Sequence, residues 1–176
     1  VVPTLVVQRQ ISYADDPAIA EDPDLRYADP WSQDVRSTAD EFDPERRLRS
    51  LYDHRAAVVS ELHAAGVGIL AGSDAVGGFT LHQELEIFVE GGLSPLDALR
   101  TATSNAAVFL ERERELGSIA EGKIADLVLL RGNPLDDIRN TRSIEAVILQ
   151  GNLLDRALLD RILAQLEYDA ANWPEG

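Results

Sequence analysis

Val67-Gly68-Ile69-Leu70-Ala71-Gly72-Ser73-Asp74 decides the reading of this chain. It is short, apolar on both faces, and ends in a carboxylate among small residues, as a strand buried on both sides would. Immediately before it, Pro44-Glu45 opens a periodic helix with Leu48, Leu51, Tyr52, Val58, Val59, Leu62 and Ala65 on one face. Gly66 stands where that helix needs a C-terminal cap. Upstream, the run Val1 to Val7 reads as another strand buried on both faces, with Pro3 at a point where its N–H side is free. Strand, crossover helix and strand make a βαβ unit, which requires a parallel sheet. Functional side chains of such folds project from the C-terminal ends of strands, so Asp74 sits where chemistry gathers. A carboxylate there can ligate a divalent cation or take a proton from bound water. It can equally be a loop aspartate that turns the chain, and spacing leaves both open.

Downstream, Thr80 and Gln83 have capping-box spacing, and Leu81, Leu85, Phe88 and Val89 form an apolar face that Gly91-Gly92 ends. Ser94-Pro95-Leu96-Asp97 combines a cap, a first-turn proline and an acid, and opens a helix to about Thr101. Ser104-Asn105 starts a short one to Leu110. Near Leu116 the pattern changes. Ile124 to Leu130 and Ile144 to Leu149 read as strands, and Gln150-Gly151-Asn152 as a tight turn leading to a third strand or directly to a last helix, Asp155 to about Tyr168. Short strands without long crossovers suggest an antiparallel appendage beside the parallel part. The expected fold class is α/β, divided as 1–115, 116–154 and a terminal helix and tail at 155–176.

Composition narrows the function. The formal charge is −15 over 176 residues, and Ala14 to Asp53 holds twelve Asp/Glu against five Arg. Such a surface repels phosphate backbones and argues against nucleic-acid partners. From Gln10 to Asp43 the chain is rich in Asp-Pro pairs without clean periodicity and reads as an insertion of the kind that forms lids or binding loops, in which short helical turns can occur. No apolar run approaches the roughly 20 residues of a membrane-spanning helix. Cysteine is absent, so a metal would be held by His, Asp, Glu or a modified Lys, and the compartment stays open, with the cytoplasm favoured. Methionine is absent too, which suggests a processed terminus or a truncated chain.

Several motifs in succession resemble the last third of an amidohydrolase. They are Pro3-Thr4-Leu5, Ala71-Gly72-Ser73-Asp74, Leu81-His82-Gln83-Glu84-Leu85, Gly92-Leu93-Ser94-Pro95, Ala102-Thr103-Ser104-Asn105-Ala106-Ala107, Leu116-Gly117-Ser118-Ile119, and Gly122-Lys123-Ile124-Ala125-Asp126-Leu127-Val128 with Asn133-Pro134-Leu135. The imidazolonepropionase-like and prolidase-like branch is the most similar. The resemblance implies the C-terminal part of a TIM (β/α)8 barrel, with Val1–Val7 and Val67–Gly72 as strands seven and eight, and Leu116 to about Leu154 completing a small β-sandwich. It implies that the parent hydrolyses an amide, cyclic amide or peptide-like C–N bond of a small molecule with metal-activated water. Asp74 would be metal ligand and general base, and the divalent metal one or two ions, with zinc favoured.

The same resemblance marks departures. The family's His-x-His pair, bridging lysine and later histidines have no counterpart here. His54 and His63 read as structural, Lys123 falls in the sandwich motif, and most metal ligands would lie outside this chain. His82, in the first turn of the helix after strand eight, is a candidate for substrate contact or for orienting Asp74, and also for plain packing. Thr4 and Phe79, with Gly77 and Gly78, are candidates to line the site. The remaining partners expected are the N-terminal part of the barrel and, in a homo-oligomer, further copies. The alternative function is a non-catalytic half-barrel serving packing or oligomerisation.

Overall fold

The computed structural model describes residues 1–34, 39–40, 48–74 and 78–173. Its first feature corrects the sequence reading. Val1–Val7 is not one strand: helix α1 spans Leu5–Ser12. Strand propensity in Val6 and Val7 is overridden by tertiary contacts, because Leu5 and Val6 are buried and their N–H groups find an acceptor across the fold, described below. What remains of the expected strand is residues 1–4. The Val1 amino group donates to the Gly68 carbonyl at 2.7 Å, and the Leu70 N–H donates to the Val1 carbonyl at 2.8 Å. One residue bonded to positions two apart on its neighbour is the pattern of a parallel bridge. The two segments read as strands therefore do run side by side in parallel, although neither forms a regular ladder among the described residues.

Between them, short helical turns interrupt the Asp/Pro-rich stretch, as its sequence allows. Asp16, Asp22 and Asp29 each accept a backbone N–H through the side chain, and each is followed by proline at the first helical position. They start α2 (Pro17–Ala20), a 3₁₀ turn (Pro23–Tyr27) and α3 (Pro30–Gln33). Aspartate as N-cap with proline at N1 is a start signal repeated three times. Asp43-Pro44 and the helix opening at Pro44-Glu45 lie outside the described residues.

Helix α4 (Leu48–Ala64) presents Tyr52 and Val59 to the core, whereas Leu51 and Ala65 are exposed. It ends as expected: Gly66 takes φ 78°, its N–H bonds the His63 carbonyl, and the Val67 N–H bonds the Leu62 carbonyl, the two bonds of a Schellman turn. Helix α5 (Phe79–Glu90) does not use the expected capping box. Its N-cap is Gly78, and Thr80 is a buried residue within the helix. Leu81 is exposed, and Glu84 is buried instead. The expected cap is present at α6 (Pro95–Thr101), where Ser94 accepts the Asp97 N–H. Helix α7 (Ser104–Phe109) follows. Leu5, Val6, Tyr52, Val59, Ile69, Leu85, Ile87, Phe88, Leu93, Ala98 and Ile138 form one core.

Beyond α7 the expected antiparallel part appears as β1 (Leu127–Leu130), β2 (Ile144–Leu149) and β3 (Asn152–Leu154), in that order in one sheet. Gln150 and Gly151 join β2 to β3 with φ 50° and 80°, the doubly left-handed geometry of a type I′ hairpin. Val128, Leu129, Leu149 and Leu153 of this sheet are exposed. Helix α8 (Arg156–Ala171), capped by Asp155, closes the chain. No helix among the described residues is long and apolar enough to cross a membrane.

The junction into the sheet depends on Gly117. Its φ is 80°, and a Cβ there would stand 2.5 Å from the Ala107 Cβ. We expect Gly117→Ala to lower stability by about 2 kcal/mol or more, through the left-handed penalty and the overpacking together, as read by urea denaturation.

Candidate active site

Asp74 ends the segment 67–74 in an exposed position with φ 45°. A left-handed conformation outside glycine is uncommon, and aspartate is among the residues that tolerate it. The segment behind it is held from the side by α6 and α7: the Ala71 N–H donates to the Thr101 carbonyl at 3.1 Å, and Asn105 Nδ2 donates to the Ile69 carbonyl at 3.1 Å. On the other side lie residues 1–4. A Cβ on Gly72 would fall 2.5 Å from Val2 Cγ1 and 3.8 Å from Thr4 Oγ1, so glycine at 72 is what lets the two segments approach.

Thr4 is therefore brought beside the Gly72-to-Asp74 turn. It is also conformationally unusual, with φ 53° and ψ 52° at the N-cap of α1, where its own side chain makes no capping bond. The cap is supplied from α5. Glu84 accepts the Leu5 N–H at Oε1 (3.0 Å) and the Val6 N–H at Oε2 (2.8 Å), and it is completely buried. Burial pushes its carboxyl up to about 7, although the backbone N–H groups of Leu5, Val6 and Thr4 pull the other way. Sequence reading quoted Glu84 inside a motif and assigned it nothing. Its one local signal was an acid three residues after Leu81 on the face that carries Leu85 and Phe88, where an apolar residue was expected.

His82 points elsewhere. Its Nδ1 lies 3.1 Å from Thr141 Oγ1 on the 3₁₀ turn Ile138–Arg142. Burial, with the Arg142 guanidinium adding to it, lowers its pKa. The ring is thus partnered by the returning chain rather than by Asp74. Phe79 is the half-buried first residue of α5, and Gly77 lies outside the described residues. His54 is exposed, and His63 Nε2 stands 3.6 Å from Asp97 Oδ2. Lys123 donates to the Glu113 and Leu116 carbonyls and to Ser118 Oγ, which makes it a fastener of the junction.

The Asp/Pro-rich stretch is tied to the same helix. Gln83 Nε2 donates to Asp22 Oδ2 at 2.6 Å, and Arg142 reaches Glu86 and Asp24, each at 2.7 Å. Among the described residues, no three His, Asp or Glu side chains gather where one cation could be held. The residues present do not by themselves make a metal centre, and Asp74 could serve only as one ligand of a larger set.

The chain that carries this arrangement is similar to known proteins in both sequence and fold. The amidohydrolase family matches residues 33–154. This chain belongs to that family. It is 36% identical over 103 residues to the ochratoxinase of Aspergillus niger, an alignment covering 57% of this chain and 22% of that protein. Among solved structures, a Xaa-Pro dipeptidase with bound methionine superposes with TM-score 0.62 at 27% identity, over 88% of this chain and 34% of that one. Bottromycin amidohydrolase does so with TM-score 0.73 at 26% identity, over 97% and 40%. These neighbours have a TIM-barrel-type fold. The chain spans about a fifth of the length of the curated relatives it matches.

Glu84 sets a pH dependence whose sign follows from linkage. A carboxyl titrating near 7 when folded and near 4.5 when unfolded holds more proton in the folded state between those values. Its contribution is fully present below the lower value and is lost as pH rises through the upper one. We expect stability to fall by up to about 1.4 kcal/mol per pH unit across that window. Glu84→Gln should flatten the slope, as read by denaturation midpoints at several pH values.

Proposed function

We propose that this chain is one portion of a metal-dependent hydrolase that cleaves an amide, cyclic amide or peptide-like C–N bond in a small molecule. The family membership supports the reaction class. The observation that carries the assignment to a residue is the position of Asp74, exposed in a left-handed turn at the end of the 67–74 segment. Side chains at such ends face the mouth in parallel α/β folds. In this reading Asp74 takes the proton from the attacking water, hydroxide adds to the substrate carbonyl carbon, and Asp74 returns the proton to the nitrogen as the C–N bond breaks, giving the acid and the free amine. Asp74 would also be one ligand of a divalent metal, zinc as one or two ions, most of whose ligands would lie outside this chain, and the metal would supply activation of the water. Thr4, adjacent across Gly72, and Phe79 line the approach, and His82, held by Thr141 through Nδ1, is the further candidate for substrate contact or for orienting Asp74.

In this reading the chain is the C-terminal part of a TIM barrel over 1–115, with sandwich strands over 116–154 and a terminal helix and tail over 155–176. An apolar groove of about 450 Å³ lined by Val1, Val67, Leu70, Val108 and Phe109 favours this arrangement. Val108 and Phe109 stand more than half exposed there, and exposed apolar surface of this kind marks an interface. The rest of the barrel is the partner assigned to it. A non-catalytic packing module would use the same groove and leave Asp74 idle.

The substrate class follows the relatives: the ochratoxinase and the Xaa-Pro dipeptidase suggest an ochratoxin and Xaa-Pro dipeptides as the first panel. We expect turnover of at least one of them by the full gene product, loss of turnover on chelation, and recovery with added zinc. Asp74→Asn should reduce turnover by about 10³-fold or more, consistent with removal of a proton-transfer group and ligand together, while the thermal midpoint stays within a few degrees. Retained turnover would rule Asp74 out.

A further inference from the structure

Among the described residues Glu84 is the fully buried ionisable group, and the hydrolytic reading gives it no task. It cannot touch substrate: it is completely buried, and each carboxylate oxygen is engaged by a separate backbone N–H. Placing a carboxyl there is costly compared with an apolar residue of similar volume. What it holds explains its presence. Leu5 and Val6 directly follow Thr4, a β-branched residue with φ 53°. Such a conformation persists only where the surroundings over-determine it.

Glu84 also belongs to the helix that begins five residues after Asp74. The chain leaving the Asp74 turn thus reaches back, two turns into α5, and grips the end of residues 1–4. Those residues lie against Gly72 and are bonded to Gly68 and Leu70. Segment 67–74, helix α5 and residues 1–6 therefore form a closed loop of contacts with Glu84 as its clasp. Tyr52 of α4 is a titratable group that senses Glu84, and its own hydroxyl is pushed up to about 12 chiefly by burial, so it stays neutral and adds no charge beside the carboxyl.

We propose that Glu84 is a positioning residue for the candidate active site: by accepting the Leu5 and Val6 N–H groups it fixes Thr4 beside Gly72 and keeps segments 1–4 and 67–74 in one rigid unit beneath Asp74. The inference rests on the reading of Asp74 as the reacting carboxylate. It differs from an ordinary helix cap in one respect. A cap would affect α1 alone, whereas a clasp transmits to residues 67–74.

Peptide-resolved hydrogen–deuterium exchange on the full gene product separates the two. Glu84→Met keeps the volume and withdraws both acceptors. We expect at least tenfold faster exchange at Leu5 and Val6, the same acceleration in peptide 67–74, and a change within twofold in 48–64. Glu84→Gln retains one acceptor oxygen and should recover at least half of the lost protection on a logarithmic scale; it carries the test alone if the methionine variant does not fold. Acceleration confined to residues 5–8, with 67–74 at the wild-type rate, would overturn the proposal, as would unchanged exchange in both. Asp74→Asn, whose turnover tests the functional reading, should leave exchange in 67–74 unchanged, so either claim can fail without the other.

Discussion

Two short hydrogen bonds from the Leu5 and Val6 N–H groups to a buried carboxylate organise this molecule more than any apolar contact. The first N–H groups of a helix have no partner within it, and α1 begins inside the core, where water cannot supply one. Without an acceptor at that point the helix start would be a pair of unsatisfied buried donors, each costing on the order of 1–3 kcal/mol. Glu84 is the acceptor. The helix dipole adds to the attraction, yet burial still outweighs both, which is why the group titrates near neutrality. The same interaction explains why the apolar run Val1–Val7 breaks into extended and helical halves at Thr4.

The neighbouring contacts depend on this break. Because the chain turns into a helix at Leu5, only residues 1–4 remain to lie against 68–72, and the approach is close enough that position 72 has no room for a side chain. Asn105 and Thr101 secure the opposite side of the same segment. Asp74 is thereby presented at the end of a segment gripped from both sides, while remaining exposed itself. A site that must hold a carboxylate in place while leaving its oxygens accessible needs this combination.

Much of this was legible from residue order. Ser94-Pro95-Leu96-Asp97, Gly66, Gly91-Gly92 and Gln150-Gly151 all act locally, through caps and positive φ, and the structure places each where its chemistry requires. The motifs from Pro3 to Leu135 identified the family because they are numerous, although each is weak alone. What sequence could not give was long-range. The partner of Glu84 lies 78 and 79 positions away, and no periodicity announces an acid turned inward. Thr80 has the spacing of a cap but is buried as the second residue of the helix, two positions past the N-cap Gly78. Val6 and Val7 carry strand propensity that tertiary contacts reverse. His82 shows the same limit: its place in the first turn of α5 was correct, but its partner, Thr141, comes from the returning chain.

The three self-capped turns between Asp16 and Gln33 carry a different consequence. Each supplies its own start signal from an adjacent Asp-Pro pair, so each folds on local instructions and draws little from the main core. Among the described residues its ties include the polar pairs of Asp22 with Gln83 and Asp24 with Arg142, and a small apolar patch in which Ile19 and Leu25 pack with Ile11, Ala14 and Ala39, separate from the main core. A segment assembled this way can exchange turns at the cost of repacking that small patch, while the main core keeps its own contacts. Such a stretch is where novelty costs least, because its turns can change while the larger core keeps its packing.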